Sequence, residues 1–417
     1  MSPRPALARL LAHREPALLL SGQTISQFGD GVATVAFTLL ILDRTHSISA
    51  LAWFSAARMA PLVAFLLFGG ATVDRHSRRL LMLASDSGRA LLTGGIVALL
   101  LAHALTMGDL LAFAVAFGTF DALFMPSFTA LTPEIVPAEL LPAMNAVRPF
   151  TSQVMGNMIG PAVGGLLAAV STTAAIAVDC ATFVISAGAL ALMRPTPRPD
   201  RPQPQTMLRE IAAGWRYVRH TTWLWRSLLA VTIGNALLFT PMGVLISFAL
   251  RHQMHVSKSV VGYYFAVSGA AGALSSLAAT SLPTPRRRVR AMWLAWLAAG
   301  LSGFLLAGAT HPWELFVVPV IATPGILIGN IIWESMLQVE VPRDLLGRVS
   351  SVDWFVSLGL SPVGVAVAGA VSARVGVAAY ALVATVVTLV PGLMVIASPR
   401  VHAVDTHPRP ATVTPEA

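Results

Sequence analysis

Three polar residues share one helical face inside the first long apolar stretch of the chain. Gln23, Gln27 and Asp30 are spaced by four and three residues, which brings their side chains together on an α-helix. An ionisable group in an apolar helix is energetically costly, so a functional role is the first hypothesis for Asp30. In a partly hydrated cavity, such a carboxylate can bind and release a proton near neutral pH. The alternative is a local role, in which Asp30 forms hydrogen bonds within a kinked segment between two flanking glycines.

Two more charged residues are expected at a similar depth in other apolar stretches. Asp121 is near the middle of the fourth stretch, and Arg58 is in the middle of the second. A lone arginine there needs a counter-charge, and Asp30 or Asp121 is the expected partner. Arg58 would then tune proton binding by its partner, bind an anionic substrate through its guanidinium group, or hold two helices together as a static ion pair.

The composition of the chain requires that these residues be held in a membrane. The 417 residues are 55% hydrophobic and only 11% charged, with a mean hydropathy of +0.72. A soluble domain carries about a quarter charged residues, so this chain cannot cover a water-facing surface. The net charge of +9 comes mainly from arginines grouped in predicted loops, which membrane topology explains without a nucleic-acid partner.

About twelve stretches are long enough for a helix that crosses the bilayer, which needs about 20 apolar residues. We place them at about 17–42, 49–73, 80–104, 109–131, 143–170, 174–193, 227–250, 259–282, 291–309, 313–336, 350–372 and 376–397. The predicted fold class is therefore an all-α integral membrane protein, with twelve transmembrane helices in two pseudo-symmetric six-helix bundles. No cleavable signal peptide is evident, because the first stretch is long and lacks a small-residue cleavage site.

The distribution of arginine predicts the orientation. The predicted inner loops are rich in arginine, whereas the outer loops hold only Arg44, Arg251, Lys258 and Arg374. Short basic loops stay in the cytoplasm, so we expect both termini on that side of the cell membrane. The predicted domains are an N-terminal bundle at 1–193, a cytoplasmic linker with an amphipathic helix at 194–226, a C-terminal bundle at 227–397 and a disordered cytoplasmic tail at 398–417. The amphipathic helix would lie along the inner membrane surface or pack on the ends of the bundle.

An internal repeat supports two equivalent halves. The hexapeptide that begins at Val136 is echoed by the one that begins at Val341, at an offset of 205 residues. The same offset relates Asp30 and its preceding glycine to Asn235 and its preceding glycine. This spacing indicates a parallel six-plus-six repeat.

A charged motif joins the second and third apolar stretches. Its matching positions in the pattern G-x-x-x-D-R-x-G-R-R are Gly70, Asp74, Arg75, Arg78 and Arg79. Ser77 replaces the second glycine. Between two apolar helices, this motif resembles the major facilitator superfamily. The resemblance implies that helices 1, 4, 7 and 10 line a central cavity, which would place Asp30, Asp121, Asn235 and Asn330 beside it.

A gate is the role that the resemblance implies for this loop. We expect Gly70, Asp74, Arg75 and Arg78 to form a charged latch together with Asp86 and Arg89, which are three residues apart in helix 3. The latch would tie helices 2 and 3 to the second half and stabilise the outward-open state. The alternative is a topology signal alone. Asp179 and Asp353 are expected to form interhelical bonds.

A glycine-rich segment of helix 5 resembles the family's antiporter signature G-x-x-x-G-P-x-x-G-G. Its residues are Gly156, Gly160, Pro161, Gly164 and Gly165. Ordinary packing of small residues between helices is the alternative interpretation. The segment from Pro133 to Pro137, with Leu141 and Asn145, and the later Val341, Pro342, Gly347 and Arg348 are most similar to the branch of enterobactin-exporter-like and macrolide-efflux-like proteins.

The resemblance implies export of small amphipathic molecules by proton antiport, through alternating access between two rocking halves. An importer or uniporter of a small nutrient, or a non-transporting receptor, stays open on the same fold. No P-loop and no G-x-S-x-G motif occurs, and the histidines lack metal-ligand spacing, so we expect no enzyme, cofactor or metal site. The expected partners are the lipid bilayer, a small-molecule substrate and protons, and the chain is expected to act as a monomer.

Overall fold

Twelve helical spans make up most of the computed structural model, which describes residues 3–73, 77–194, 207–279, 285 and 287–398. Spans 1 to 6 are Arg14–Thr45, Ile48–Val73, Arg78–Leu101, Met107–Ile135, Ala138–Val170 and Thr172–Leu192. Spans 7 to 12 are Thr222–Gln253, Lys258–Ala279, Arg288–Gly308, Pro312–Glu340, Leu345–Val375 and Val377–Ile396. All twelve are long and apolar enough to cross a membrane, and no strand occurs within these ranges. The all-α, twelve-span fold class is confirmed, and the chain is a multi-pass membrane protein.

Two helices lie outside the spans. Pro3–Ala12 precedes span 1, and Met207–His220, named here the linker helix, precedes span 7. The linker helix packs closely on span 11, because a Cβ atom on Gly214 would lie 2.7 Å from the carbonyl oxygen of Arg348. Val218 is buried, whereas Trp215 is exposed. The linker residues 195–206 and the tail residues 399–417 lie outside the described ranges.

Several spans contain irregular turns where proline or glycine interrupts the helical hydrogen bonds. Span 5 has a π-helical segment at Ser152–Ile159, and span 7 has one at Asn235–Phe239. Pro241 follows the latter and has no N–H to offer to the carbonyl group of Leu237. The hydroxyl group of Tyr380 donates to that oxygen instead, at 2.8 Å. The irregular turn of span 7 is thus stabilised by span 12, as membrane helices require for a freed backbone group.

Spans 1 to 6 are named here the first half and spans 7 to 12 the second half. The two halves meet along two pairs of spans. Span 2 packs on span 11, where the hydroxyl group of Ser49 donates to the carbonyl oxygen of Gly369 at 3.1 Å. Span 5 packs on span 8, where Gly165 faces Gly262. The bundle has two ends, named here after one residue each. The Asp43 end holds the turn between spans 1 and 2, and the Arg78 end holds the start of span 3.

An ion-pair link joins the halves at the Asp43 end. The two carboxylate oxygens of Asp43, near the end of span 1, lie 2.9 Å from Arg251 Nε and 2.9 Å from Lys258 Nζ. Arg251 lies near the end of span 7 and Lys258 begins span 8, so the link crosses from the first half to the second. His252 also approaches the carbonyl oxygen of Leu42 at 3.2 Å. This end of the molecule is therefore held together by polar contacts between halves.

Candidate functional site

Five charged residues of the first half converge and are named here the charged cluster: Asp30, Arg58, Asp86, Arg89 and Asp121. Arg58 lies between two carboxylates, with Nη2 at 3.6 Å from Asp30 Oδ1 and 3.6 Å from Asp121 Oδ2. The structure thus brings spans 1, 2 and 4 together at the three mid-span charges that the sequence singled out. Aromatic stacking beneath them positions the same three spans, because Phe37, on span 1, lies between Phe54 and Phe113.

Arg89 extends the cluster inward along span 3. Its Nη1 atom donates to Asp121 Oδ1 at 3.0 Å, and its Nη2 atom donates to Asp86. The hydroxyl group of Ser186, on span 6, donates to the other oxygen of Asp86 at 2.6 Å. Arg89 is 2% exposed and Asp86 is fully buried. Their three-residue spacing turns both side chains toward spans 4 and 6. Both were expected in a latch with Asp74 and Arg75, which lie outside the described residues.

Aromatic rings surround the arginines. The guanidinium carbon of Arg89 lies 4.5 Å from the ring centre of Phe183 and 4.6 Å from that of Phe124. That of Arg58 lies 4.5 Å from the ring centre of Phe117. Cation–π attraction stabilises both arginines, and the rings keep water from one side of the cluster.

The cluster has one open face and one closed face. The side chains of Asp30, Arg58 and Asp121 are 28%, 26% and 34% exposed, in contrast to the buried pair Asp86 and Arg89. The side chains of Asp30 and Asp121 are thus partly accessible, although Asp30 Oδ1 itself is a buried atom. The buried guanidinium group of Arg89 provides a fixed positive charge beside these carboxyl groups. This arrangement suits proton binding that is tuned by a neighbouring cation.

Gln27 and Gln23 line span 1 beside Asp30. Each has a buried side-chain oxygen that accepts no hydrogen bond from the described residues. The main chain of Gln27 faces the π-helical segment of span 5, where a Cβ atom on Gly156 would lie 3.5 Å from its carbonyl oxygen. The two amides therefore offer acceptors to a water molecule or a ligand.

Asp179, on span 6, is a further carboxylate beside the cluster. It is fully buried, and neither of its carboxyl oxygens accepts a hydrogen bond within the described ranges. It faces span 1, because a Cβ atom on Gly29 would lie 2.9 Å from Asp179 Oδ1. An interhelical bond was expected for Asp179, and the described residues provide none. The signal in the sequence that could have indicated a role beside Asp30 is the position of this carboxyl group within an apolar span.

The expected latch residues are described only in part. Asp74 and Arg75 lie outside the described residues, as do the surroundings of Gly70 at the end of span 2. Arg78 donates to Glu134 and to the carbonyl oxygen of Ala130, both on span 4. Arg79 donates at 2.7 Å to two carbonyl oxygens near the end of span 6. These contacts join spans of the first half, so the proposed tie to the second half is not among them.

The antiporter-like motif lies in span 5 and comprises Gly156, Gly160, Pro161, Gly164 and Gly165. A Cβ atom on Gly160 or on Gly164 would lie 2.6 Å from a carbonyl oxygen of span 1. A Cβ atom on Gly165 would lie 2.7 Å from the Cα atom of Gly262 on span 8. Gly160 directly follows the π-helical segment, and Pro161 comes next. The motif thus allows span 5 to pack closely on span 1 on one side and on the second half on the other.

A second candidate site lies in the other half, in a cavity of about 190 Å³ among spans 7, 9, 10, 11 and 12. We name it the Trp pocket. Its aromatic residues are Phe239, Trp293, Trp296, Trp333 and Trp354. Its main polar residues are Asn235, Asn330, Glu334, Asp353 and Ser357. The two amides that the sequence singled out in this half therefore share one cavity.

The polar groups of the Trp pocket are held by bonds between spans. Asn235 donates to the carbonyl oxygen of Ser357 at 3.0 Å, and Asn330 accepts from Trp296 Nε1 at 3.1 Å. Asp353 accepts from Trp333 Nε1 at 3.0 Å, which is the interhelical bond expected for it. The described lining includes two carboxylates and no lysine, arginine or histidine. The pocket can therefore offer aromatic surface and negative charge.

Known proteins with similar sequences are transporters. The sequence model of the Major Facilitator Superfamily matches residues 19–358. Multidrug efflux pump Tap of Mycobacterium tuberculosis is 26% identical over 415 residues, which cover 95% of this chain and 97% of that protein. Macrolide efflux protein A of Streptococcus pyogenes is 25% identical, with 86% of this chain and 89% of that protein covered. Enterobactin exporter EntS of Shigella flexneri is 26% identical, with coverages of 83% and 82%.

Solved structures of transporters share the fold. A crystal structure of the nucleoside transporter NupG matches with a TM-score of 0.69 at 12% identity, covering 92% of this chain and 99% of that chain. A bacterial homologue of the iron transporter ferroportin, in an inward-facing state, matches with a TM-score of 0.69 at 15% identity and the same coverages of 92% and 99%. At these identities the likeness concerns the architecture alone.

Proposed function

The chain belongs to the Major Facilitator Superfamily, and from this we propose that it exports small amphipathic molecules across the cell membrane in exchange for protons. Relatives that align over most of its length are named as efflux pumps and an exporter. The aromatic Trp pocket supports an amphipathic cargo over a polar nutrient, which an importer would need to bind through many hydrogen bonds.

The observation that carries the proposal is the charge balance of the charged cluster and Asp179. Among the described residues, the four carboxyl groups of Asp30, Asp86, Asp121 and Asp179 lie together with two guanidinium groups, those of Arg58 and Arg89. An uncompensated charge away from water costs several kcal/mol. Two of the four carboxyl groups therefore hold protons whenever the cluster is closed to water.

Contacts within the cluster indicate which carboxyl groups hold those protons. Asp86 is fixed as a carboxylate by Arg89 and Ser186. The carboxyl group of Asp179 has no ion pair or hydrogen bond within the described ranges, so we assign it a permanent proton. Asp30 and Asp121 share Arg58 and are partly exposed, so the exchangeable proton belongs to this pair.

Alternating access would couple that proton to the cargo. Protonation of Asp30 or Asp121 releases Arg58 from one of its two partners and so changes the contacts between spans 1, 2 and 4. Coupling requires that the two conformations differ in their affinity for the proton. The positive-inside rule predicts that the arginine-rich Arg78 end faces the cytoplasm. The link at Asp43 then closes the outer end and must break before a proton enters from outside.

Transport by the purified protein in proteoliposomes tests this function. An imposed proton gradient is expected to drive cargo movement against its concentration gradient, and an uncoupler is expected to abolish that movement. Asp30→Asn and Asp121→Asn are expected to retain cargo binding and to lose the response to the gradient. Downhill movement of cargo that ignores the proton gradient in the wild-type protein would contradict antiport.

A further inference from the structure

We propose that the Trp pocket binds the aromatic, positively charged part of the cargo, so that the molecules exported are lipophilic cations. This inference rests on the proposed function because it names the cargo class of the same transporter. Three features of the pocket support it: the aromatic surface, the charges of the lining residues and the volume.

The four indole rings offer electron-rich surface. In three of the four tryptophans, the N–H group already donates a hydrogen bond within the protein. Trp293 Nε1 donates to Ser227 at 3.2 Å, and the indoles of Trp296 and Trp333 donate to Asn330 and Asp353. With these N–H groups used within the protein, the rings can attract a ligand only through apolar contact and through the negative potential of their faces. Such surfaces bind cations and aromatic groups well and bind anions poorly.

The charges of the lining favour the same sign of ligand. Glu334 is exposed and forms no ion pair with the described residues. Asp353 is 8% exposed and accepts from Trp333 and from Ser357. An anion in this cavity would meet two carboxylates without a compensating cation, whereas a cation would pair with Glu334.

The size of the cavity limits what enters it. Its volume of about 190 Å³ is below the range of about 300–1,000 Å³ that is typical of sites for whole drug-sized molecules. One aromatic group with its charge fits, and the rest of the molecule must lie in the opening beside Asn330 and Trp354, both of which are exposed. The pocket therefore selects for a charged aromatic group rather than for one complete structure.

The experiment compares two ions of nearly equal shape and opposite charge, tetraphenylphosphonium and tetraphenylborate. Their binding to the purified full-length protein in detergent is measured by equilibrium dialysis, with no membrane and no proton gradient. We expect the cation to bind at least about 10-fold more tightly than the anion. Equal affinity, or a preference for the anion, would overturn the inference.

Variants locate the binding to the pocket. Glu334→Gln is expected to weaken cation binding about 10-fold, whereas Glu340→Gln, the same change six positions later on span 10, is expected to have no effect. Trp354→Leu is expected to weaken binding and Trp354→Phe to preserve most of it, because a phenyl ring retains the aromatic face. Trp354 is 52% exposed, so neither change disturbs a buried core. Equal binding by all four variants would overturn the inference.

The experiments can contradict proton antiport and the ligand class of the Trp pocket independently of each other. Charge-selective binding without gradient-driven transport in proteoliposomes would contradict antiport and leave the pocket assignment standing. Gradient-driven transport of other cargo, with no preference for the cation and no effect of Glu334→Gln, would contradict the pocket assignment alone.

Discussion

The charged cluster and the Trp pocket occupy related places in the two halves and have opposite chemistry. At the 205-residue offset of the internal repeat, Asp30 corresponds to Asn235 and Asp121 corresponds to Ile326. Both second-half residues line the Trp pocket. Where the first half has carboxylates paired with arginine, the second half has an amide and an alkyl chain among tryptophans. Under the proposed function, one half would serve the proton and the other would serve the cargo.

Removing the buried arginine is expected to have the largest effect. Arg89→Met leaves Asp86 buried without its cation, which should cost about 3–5 kcal/mol of stability. Arg58→Met is the matched control and should cost much less, because its carboxylate partners are partly exposed to water. Thermal unfolding of the two purified variants in detergent checks this difference. Equal losses in both would contradict the division of the cluster into a closed and an open face.

The next effect is on proton coupling. Asp30→Asn is expected to reduce proton-driven efflux by at least about 10-fold and to flatten its dependence on outside pH, because one of the two carboxyl groups that share the exchangeable proton is gone. Efflux by the wild-type protein should rise as the outside pH falls. Glu139→Gln, at an exposed site beyond span 4, is the control and should behave as the wild type does. An unaltered pH profile in Asp30→Asn would remove Asp30 from the coupling step.

A change at the corresponding position of the second half should act on the cargo instead. Asn235→Ala is expected to raise the KM for cargo by about 3-fold while leaving the pH profile unchanged. Initial rates of efflux at several cargo concentrations and two outside pH values separate these effects. A flattened pH profile in Asn235→Ala would mean that the two halves share the proton-handling role.

A smaller effect is expected on the population of molecules in which the Asp43 end is open. Asp43→Asn removes the carboxylate that joins Arg251 and Lys258, and partly exposed pairs contribute about 0–1 kcal/mol. Spin labels on the ends of spans 1 and 7 should then report a larger population with that end open. Arg374→Gln, at the same end and outside the link, is the control. Unchanged distances in Asp43→Asn would show that the link does not hold this end closed.

The smallest effect is expected at Asp179. If this carboxyl group always holds a proton, Asp179→Asn mimics its resting state and should change efflux by less than about 2-fold. A strict loss of proton-driven efflux, with normal yield of folded protein, would place Asp179 in the exchange step together with Asp30.

The sequence was sufficient for the architecture and for part of the charged cluster. Hydropathy and the repeat predicted twelve spans, and the loop motif predicted the family, both of which are confirmed. The scarcity of charge in the spans made Arg58, Asp30 and Asp121 natural partners, because each needs another.

Other parts of the site depend on which faces of different helices pack together. The spacing of residues along a single helix does not determine that packing. Asp86 and Arg89 were predicted to belong to a gate because they follow the charged loop, and the contacts of their shared face with Asp121 and Ser186 could not be predicted from the sequence. The tryptophans of the pocket come from three spans, and only Trp293 and Trp296 are close enough in sequence to indicate a shared face. Tertiary packing assembles the rest.

Proton release on cargo binding tests the division of roles most directly. Tetraphenylphosphonium is added to purified protein in weakly buffered detergent solution, and the pH change is recorded alongside binding. The wild-type protein is expected to release protons as the cation binds, whereas a variant with both Asp30→Asn and Asp121→Asn is expected to bind the cation without release. Equal proton release by the wild-type protein and the double variant would contradict the assignment of the proton to the first half.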